Sequence, residues 1–135
     1  MEFNVRTLKE SDFKTISSWW KKWNWPVLPK DFLPDNGTGG IMVEKGRFKI
    51  VCGFLYFSNS KLVWLDWIVS NPKYRQKDRK EAIKRLIQTA EAMVKSSGFK
   101  YMMSISRSNS LLQTHEKLGW TVDPTPSHEM TKGII

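Results

Sequence analysis

The residues that invite chemistry lie in three places. The first is a basic run, Arg75, Gln76, Lys77, Arg79 and Lys80 with Asp78 among them, where an apolar segment gives way to a helical pattern. In that pattern Ala82, Ile83, Leu86, Ile87, Ala90, Met93 and Val94 fall on one stripe, and Gly98 supplies the stop. The first turn of such a helix presents N–H groups that have no intrahelical partner. Cations beside it make a site for anions, phosphates in particular. The second place is Asp66, the one acid within the apolar run Leu62–Val69. The third is His115, on a short helical pattern before Gly119. Cys52 is the single cysteine, so it forms no internal disulfide and carries no metal-ligand spacing. Within a strand pattern it reads as a small core residue, and no metal site is expected.

A formal charge of +9 over 135 residues raises nucleic acid as a partner. The lysines and arginines are spread along the chain, with one concentration between Lys73 and Lys84. No zinc-finger spacing and no RNA-binding aromatic signature go with them. The charge therefore ranks a small phosphate ligand first, a solvated helix face second and nucleic acid third. The length fits one domain over residues 1–135, enough to bury a core. No segment reads as a signal peptide or reaches membrane-spanning length, so a cytoplasmic chain without a membrane partner is expected. A homodimer is compatible with the sequence but has no residue signature in it.

The elements that must position these groups follow from periodicity. Leu62–Val69 is too short for a helix and too apolar for a surface strand, so it reads as a central strand covered on both faces. Ahead of it, Phe3–Leu8 reads as a strand and Asp12–Trp23 as a helix capped by Ser11. A long aromatic loop with Pro26, Pro29 and Pro34 then leads to Gly40, and loops of that length tend to be functional. Strands Ile41–Glu44 and Phe48–Phe57 flank the turn Lys45-Gly46-Arg47. Behind the central strand come a helix, Asp78–Ser97, and a strand, Tyr101–Ser106, set parallel to the central one by a right-handed crossover. A helix at Leu111–Lys117, capped by Ser108 or Asn109, and a closing strand, His128–Ile134, complete the pattern. The fold class is α/β (α+β): a mixed, mostly antiparallel sheet of about six or seven strands flanked by helices, with two central parallel strands that splay.

That order, with the residues at its joints, resembles the GNAT superfamily of acyl-CoA-dependent N-acetyltransferases. Two stretches carry the resemblance. VSNPKYRQKDRKEA (Val69–Ala82) sits where the family has its pyrophosphate loop, a valine and a turn followed by Arg/Gln-x-x-Gly-x-Gly/Ala opening a helix. SNSLLQTHEKLGW (Ser108–Trp120) sits where the family shows an asparagine, a short helix and Tyr-Glu-Lys-Leu-Gly-Phe. The Trp19-Trp20 helix, Leu33-Pro34 and the glycine-bearing turn after it also resemble small uncharacterised acetyltransferase-like proteins of tailed bacteriophages. That likeness implies the cytoplasm of an infected host.

The resemblance implies acetyl-CoA as co-substrate and direct transfer of its acetyl group to an amine, small molecule or protein. Arg75, Gln76, Lys77, Asp78, Arg79 and Lys80 would then meet the cofactor phosphates. Ile68 and Val69 would offer backbone groups to the pantetheine arm, and Asn109 would lie on the cofactor side. Asp66, its pKa raised by burial between Trp64, Trp67 and Ile68, would be the general base. His115 stands at the position of the tyrosine that reprotonates the departing thiolate. Trp25 is the candidate on the acceptor side. The blander readings are a strand acid paired with a neighbouring cation for Asp66, and an imidazole packed at a helix end for His115. Asp78 and Lys80 replace expected glycines, which let backbone approach a diphosphate. Those departures support a competing function, a GNAT-like protein without turnover whose basic face engages an acidic protein or nucleic acid.

Overall fold

The computed structural model describes residues 2–135, which pack as two compact units, one reaching Ile105 and the other spanning Ser106–Ile135. The first unit holds strands β1 (Asn4–Thr7), β2 (Gly40–Lys45), β3 (Phe48–Phe57), β4 (Leu62–Ser70) and β5 (Tyr101–Ser104), neighbours in that order. β1 to β4 pair antiparallel, and β4 pairs with β5 in parallel. Helix α1 (Asp12–Lys22) joins β1 to the loop before β2, and α2 (Arg79–Ser96) is the crossover between β4 and β5. The second unit contains helix α3 (Asn109–Lys117). No described helix is long and apolar enough to cross a membrane.

The pattern of the sheet decides which helix covers which face, because successive strand residues point to opposite sides. Met42 of β2, Cys52 and Phe54 of β3 and Val69 of β4 pack with Ile16, Trp19 and Trp20 of α1. The alternate residues Ile41, Val43, Val51, Leu55, Val63 and Leu65 are buried on the other face, whose helix α2 buries Ala82, Leu86, Ile87, Ala90 and Val94. Two of the seven tryptophans, Trp19 and Trp20, are thus core. Cys52 is wholly buried, and burial pushes its thiol well above the usual range, so it is inert core as its setting suggested.

Three expectations from sequence need correction. Among the described residues the sheet has five strands, not six or seven, because 128–134 forms no strand. Alternation makes a strand only where a neighbour and a core receive it, and here Met130 and Ile134 are 92% and 86% exposed. The strand at Tyr101 ends at Ser104 rather than Ser106, and as the last strand of five it is an edge rather than a central strand. Ser11 does not cap α1, since its own backbone is already helical. The entry is organised by the next residue, Asp12, whose buried carboxylate accepts the Lys9 N–H at 2.8 Å and bonds Arg6 and Lys49 at 2.8–3.0 Å. The loop before β2 also contains two short 3-10 turns, Lys30–Phe32 and Pro34–Gly37, where proline content had suggested no regular element.

Candidate functional site

The site begins where β4 and β5 part. Their pairing runs only from Leu62 opposite Tyr101 to Leu65 opposite Ser104. β5 stops there, while β4 continues alone on that side through Asp66–Ser70. At the same point β4 slips against β3, with Asp66 opposite Phe54 and Val69 opposite Cys52. One residue of β3, Gly53, therefore faces two of β4, Trp67 and Ile68, which is a β-bulge. A side chain at Gly53 would press on Leu65, Ile68 and Leu86 at 3.1–3.3 Å, so the glycine makes room for the bulge and for α2.

Trp67 carries the bulge with φ at 55°, a left-handed backbone that costs a bulky residue about 1–3 kcal/mol. Specific contacts hold it there. The Asp66 carboxylate accepts the Trp67 backbone N–H at 2.7 Å. The Trp67 indole donates to the Tyr56 hydroxyl at 3.1 Å, and that hydroxyl donates to the Phe32 carbonyl at 3.2 Å. The Phe32 ring meets the Trp67 ring edge-on at 6.0 Å. Burial pushes the Tyr56 phenol up to about 12, against the Trp67 hydrogen bond and with the Asp66 charge adding to it. Asp66 shares the α1 face with Phe54, and the extra residue brings Trp67 onto that face as well.

Beyond β4 the chain turns through a loop fastened at several points. Asn71 donates its N–H to the Ile50 carbonyl and its side-chain amide to the Lys49 carbonyl, and its oxygen accepts the Lys73 N–H at 3.0 Å. Tyr74 is buried against Phe48 and donates to Asp78 at 2.8 Å. Lys45 reaches the other oxygen of Asp78 at 2.6 Å. These bonds, that of Lys45 before that of Tyr74, hold the Asp78 carboxyl below its ordinary value. Asp78 takes the N-cap position of α2 but makes no capping bond with its side chain. The Arg79 N–H bonds the Gln76 carbonyl and the Ala82 N–H the Asp78 carbonyl, which leaves the Lys80 and Glu81 amides without a backbone partner. Arg75, Gln76, Lys77 and Lys80 are exposed around them, and Arg79 is half-buried. Arg75 is oriented by a bond from its Nε to the Pro72 carbonyl at 3.0 Å.

Two further groups face these elements within the first unit. The Ser104 hydroxyl, at the last paired residue of β5, is buried and has no hydrogen-bond partner. α1 ends in a left-handed Asn24, with the Asn24 N–H on the Lys21 carbonyl and the Trp25 N–H on the Trp20 carbonyl. That closure turns the chain sharply after the helix. It sets the Trp23 indole against the Ser70 carbonyl at 2.8 Å, at the end of β4, and leaves Trp25 37% exposed.

In the second unit Ser108 rather than Asn109 caps α3, its hydroxyl accepting the Leu111 N–H at 3.3 Å. Asn109 is the exposed first residue of the helix. His115 is buried, with Nδ1 2.8 Å from the Leu111 carbonyl. A carbonyl only accepts, so Nδ1 carries hydrogen and Nε2 is the second ring nitrogen. Gly119, at φ 96°, closes α3 with the Trp120 N–H on the His115 carbonyl, and the Trp120 ring folds edge-on to the imidazole at 4.7 Å. This is the contact that such a helix ending commonly makes between the residues flanking it.

The structure therefore gathers Asp66, Ile68, Val69 and the Arg75–Lys80 loop along one continuous stretch, with Trp25 on the helix ending fastened to its far end. His115 and Asn109 belong to the second unit. Sequence reasoning passed over Tyr56, Phe32 and Lys45. Tyr56 had a weak signal, since it alternates onto the same face as Phe54; Lys45, at a hairpin tip, had none. Among the described residues no group of three histidine, cysteine or acidic side chains is placed to hold a metal ion.

No protein-family profile and no curated protein sequence matches the chain. Solved structures do. The aminoglycoside acetyltransferase AAC(6')-Iy, in complex with a CoA bisubstrate analogue, is 18% identical with a TM-score of 0.67, over 98% of this chain and 100% of that one. The ribosomal-protein-S18-alanine N-acetyltransferase of Escherichia coli is 14% identical with a TM-score of 0.69, over 87% and 77%. An acetyltransferase of Trypanosoma brucei is 17% identical with a TM-score of 0.66, over 98% and 100%. The mixed five-stranded sheet flanked by helices is thus a fold shared with these acetyltransferases, as the resemblance to the GNAT superfamily implied.

Proposed function

We propose that the chain is an acetyl-CoA-dependent N-acetyltransferase of the GNAT type. The observation that carries this is the parting of β4 from β5, with five residues of β4 running on unpaired on the β5 side to a loop that opens a helix N-terminus. Two features fit a cofactor of this kind. The Lys80 and Glu81 amides and the cations around them suit a diphosphate, and the buried Ser104 hydroxyl awaits a hydrogen-bonding neighbour where the strands part. Acetyl-CoA, when bound, supplies a thioester whose acetyl group passes to the amine. Arg75, Gln76, Lys77, Arg79 and Lys80 hold the phosphates, and Asp78 stays compatible with them because Lys45 offsets its charge. Backbone groups of Ile68 and Val69 orient the pantetheine arm. With acetyl-CoA bound, Asp66 would take the proton of the attacking amine and His115 would return one to the sulfur that the acetyl group leaves. Asn109 supports the cofactor side, and Trp25 borders the acceptor. The phage likeness, a host-cell cytoplasmic setting and a homodimer belong to the same reading.

One observation favours the second reading, a GNAT-like binding protein without turnover. Asp78 and Lys80 place side chains where backbone should approach the diphosphate. Calorimetric titration with CoA, followed by thiol release from acetyl-CoA over a panel of polyamines and lysine peptides, separates the two. CoA binding with amine-dependent release supports the enzyme; absence of CoA binding leaves the binding protein.

A further inference from the structure

We infer that Tyr56 is a positioning residue, whose hydroxyl locks the β4 bulge to the loop segment Lys30–Phe32 so that the two move as one. The inference rests on the acetyltransferase reading for its consequence, though not for its geometry. Trp67 holds a left-handed backbone that a bulky side chain does not adopt unaided, so something outside the strand must keep it there. The Asp66 carboxylate is a local restraint, bonding the adjacent amide. The remaining restraints are long-range: the packing of Trp67 on the core, its contact with the Phe32 ring, and a polar one that passes through one oxygen. Tyr56 Oη accepts from the Trp67 indole at 3.1 Å and donates to the Phe32 carbonyl at 3.2 Å, so both capacities of the hydroxyl are used in a directed relay. Phe32 also meets Trp67 directly through its ring, at 6.0 Å.

The relay joins segments far apart in sequence. Phe32 lies in the loop between α1 and β2, Tyr56 in β3, and Trp67 at the point where β4 loses its parallel neighbour. The Lys30–Phe32 segment is short, exposed and buries no residue of its own. It is held by the buried Leu28 and Leu33 on either side, by Lys30 over the Phe13 ring, by the Phe32 ring on Trp67 and by this relay. Tyr56 in turn is set on a ten-residue strand in the middle of the sheet, the rigid member of the three. A shift of the loop at Phe32 therefore withdraws the acceptor of the Tyr56 proton and loosens the indole. The bulge is then free to relax toward a regular strand, which would turn Asp66 and the backbone of Ile68 away from their present directions. The loop before β2 and the bulged end of β4 are thereby coupled through the Tyr56 hydroxyl, beside the ring contact of Phe32 with Trp67.

Hydrogen exchange by mass spectrometry on the full chain tests the lock without requiring turnover. In Tyr56→Phe, which removes one oxygen, exchange at 66–70 and at 30–33 should rise together by about tenfold, with α2 and β1 unchanged. Trp67→Phe, which removes the indole donor and keeps a ring, should reproduce the rise at 66–70. The double variant should add nothing to it, as expected of residues acting through one contact. In the transfer assay Tyr56→Phe should lower kcat about tenfold with KM for acetyl-CoA unchanged, the mark of misplacement rather than lost binding. Unchanged exchange in both segments, a rise spread evenly over the sheet, or additive effects of the two substitutions would each overturn the lock. If the wild type transfers no acetyl group while exchange responds as stated, the lock stands and the enzymatic reading falls.

Discussion

Lys45 Nζ lies 2.6 Å from Asp78 Oδ2, across 33 residues of sequence, and changes the meaning of an acid in the loop proposed to hold phosphates. By sequence Asp78 is a departure, a negative charge where a glycine belongs. In the fold it is half of an ion pair that also anchors Tyr74, so it braces the loop. Lys45→Met should expose the Asp78 charge to the helix N-terminus and weaken CoA binding about fivefold at moderate salt. Lys45→Met/Asp78→Asn should recover most of that loss by removing both charges. Titration calorimetry on the three proteins checks it, and a single variant that binds as tightly as wild type would count against the electrostatic account.

Arg75 and Arg79 are the cations expected to matter most for the same ligand. Arg75 is already oriented by its bond to the Pro72 carbonyl, and Arg79 is less exposed than Lys77 and Lys80. Their joint replacement by alanine should raise the dissociation constant for CoA by about tenfold or more and flatten its dependence on salt. A dissociation constant unmoved by the double substitution would place the phosphates elsewhere.

Much of this was legible in the sequence, and the exceptions share a cause. The run from Leu62, the stripe from Ala82 to Val94 and the stop at Gly98 announce strand, helix and crossover because each is a local pattern. The bulge at Trp67 and Ile68 leaves no such trace. It is a mismatch of counting between two strands, visible only once Cys52 and Phe54 are seen opposite Val69 and Asp66. The partnership of Lys45 with Asp78 and the relay through Tyr56 are likewise products of tertiary placement. The residues 128–134 show the converse error, a correct alternation with no sheet to join. His115 was legible as a position, and its contact with Trp120 follows from Gly119, which sequence could have supplied.

Asp12 should set the acid limit of stability. Burial alone would raise its pKa, but bonds from Arg6, Lys49 and the Lys9 amide outweigh that and hold the carboxyl well below the ordinary range. The unfolded chain, with Asp12 near its ordinary value of about 4, takes up the proton first as pH falls. The stability that Asp12 contributes is therefore complete above about pH 5 and is lost progressively below it. Asp12→Ala leaves Arg6 with Glu44 alone and takes the carboxylate from Lys49, and should cost about 2 kcal/mol at neutral pH. Thermal melts of both proteins between neutral and acid pH check the sign: wild type should fall toward the variant as pH drops.

The catalytic assignment of Asp66 and His115 is tested with substitutions that keep their structural bonds. Asp66→Asn retains an oxygen to accept the Trp67 N–H, so the bulge is preserved while basicity is lost. A general base contributes about a hundredfold or more, so kcat should fall by that factor with CoA affinity nearly intact. A merely structural carboxylate would leave kcat near the wild-type value, since its bond to the Trp67 N–H is kept. His115→Asn offers an amide hydrogen to the Leu111 carbonyl in place of Nδ1 and removes Nε2. If Nε2 delivers the proton to the departing sulfur, turnover should drop by about a hundredfold with little change in melting temperature. Normal turnover in His115→Asn would assign the imidazole to its packing with Trp120 and give the proton to another donor.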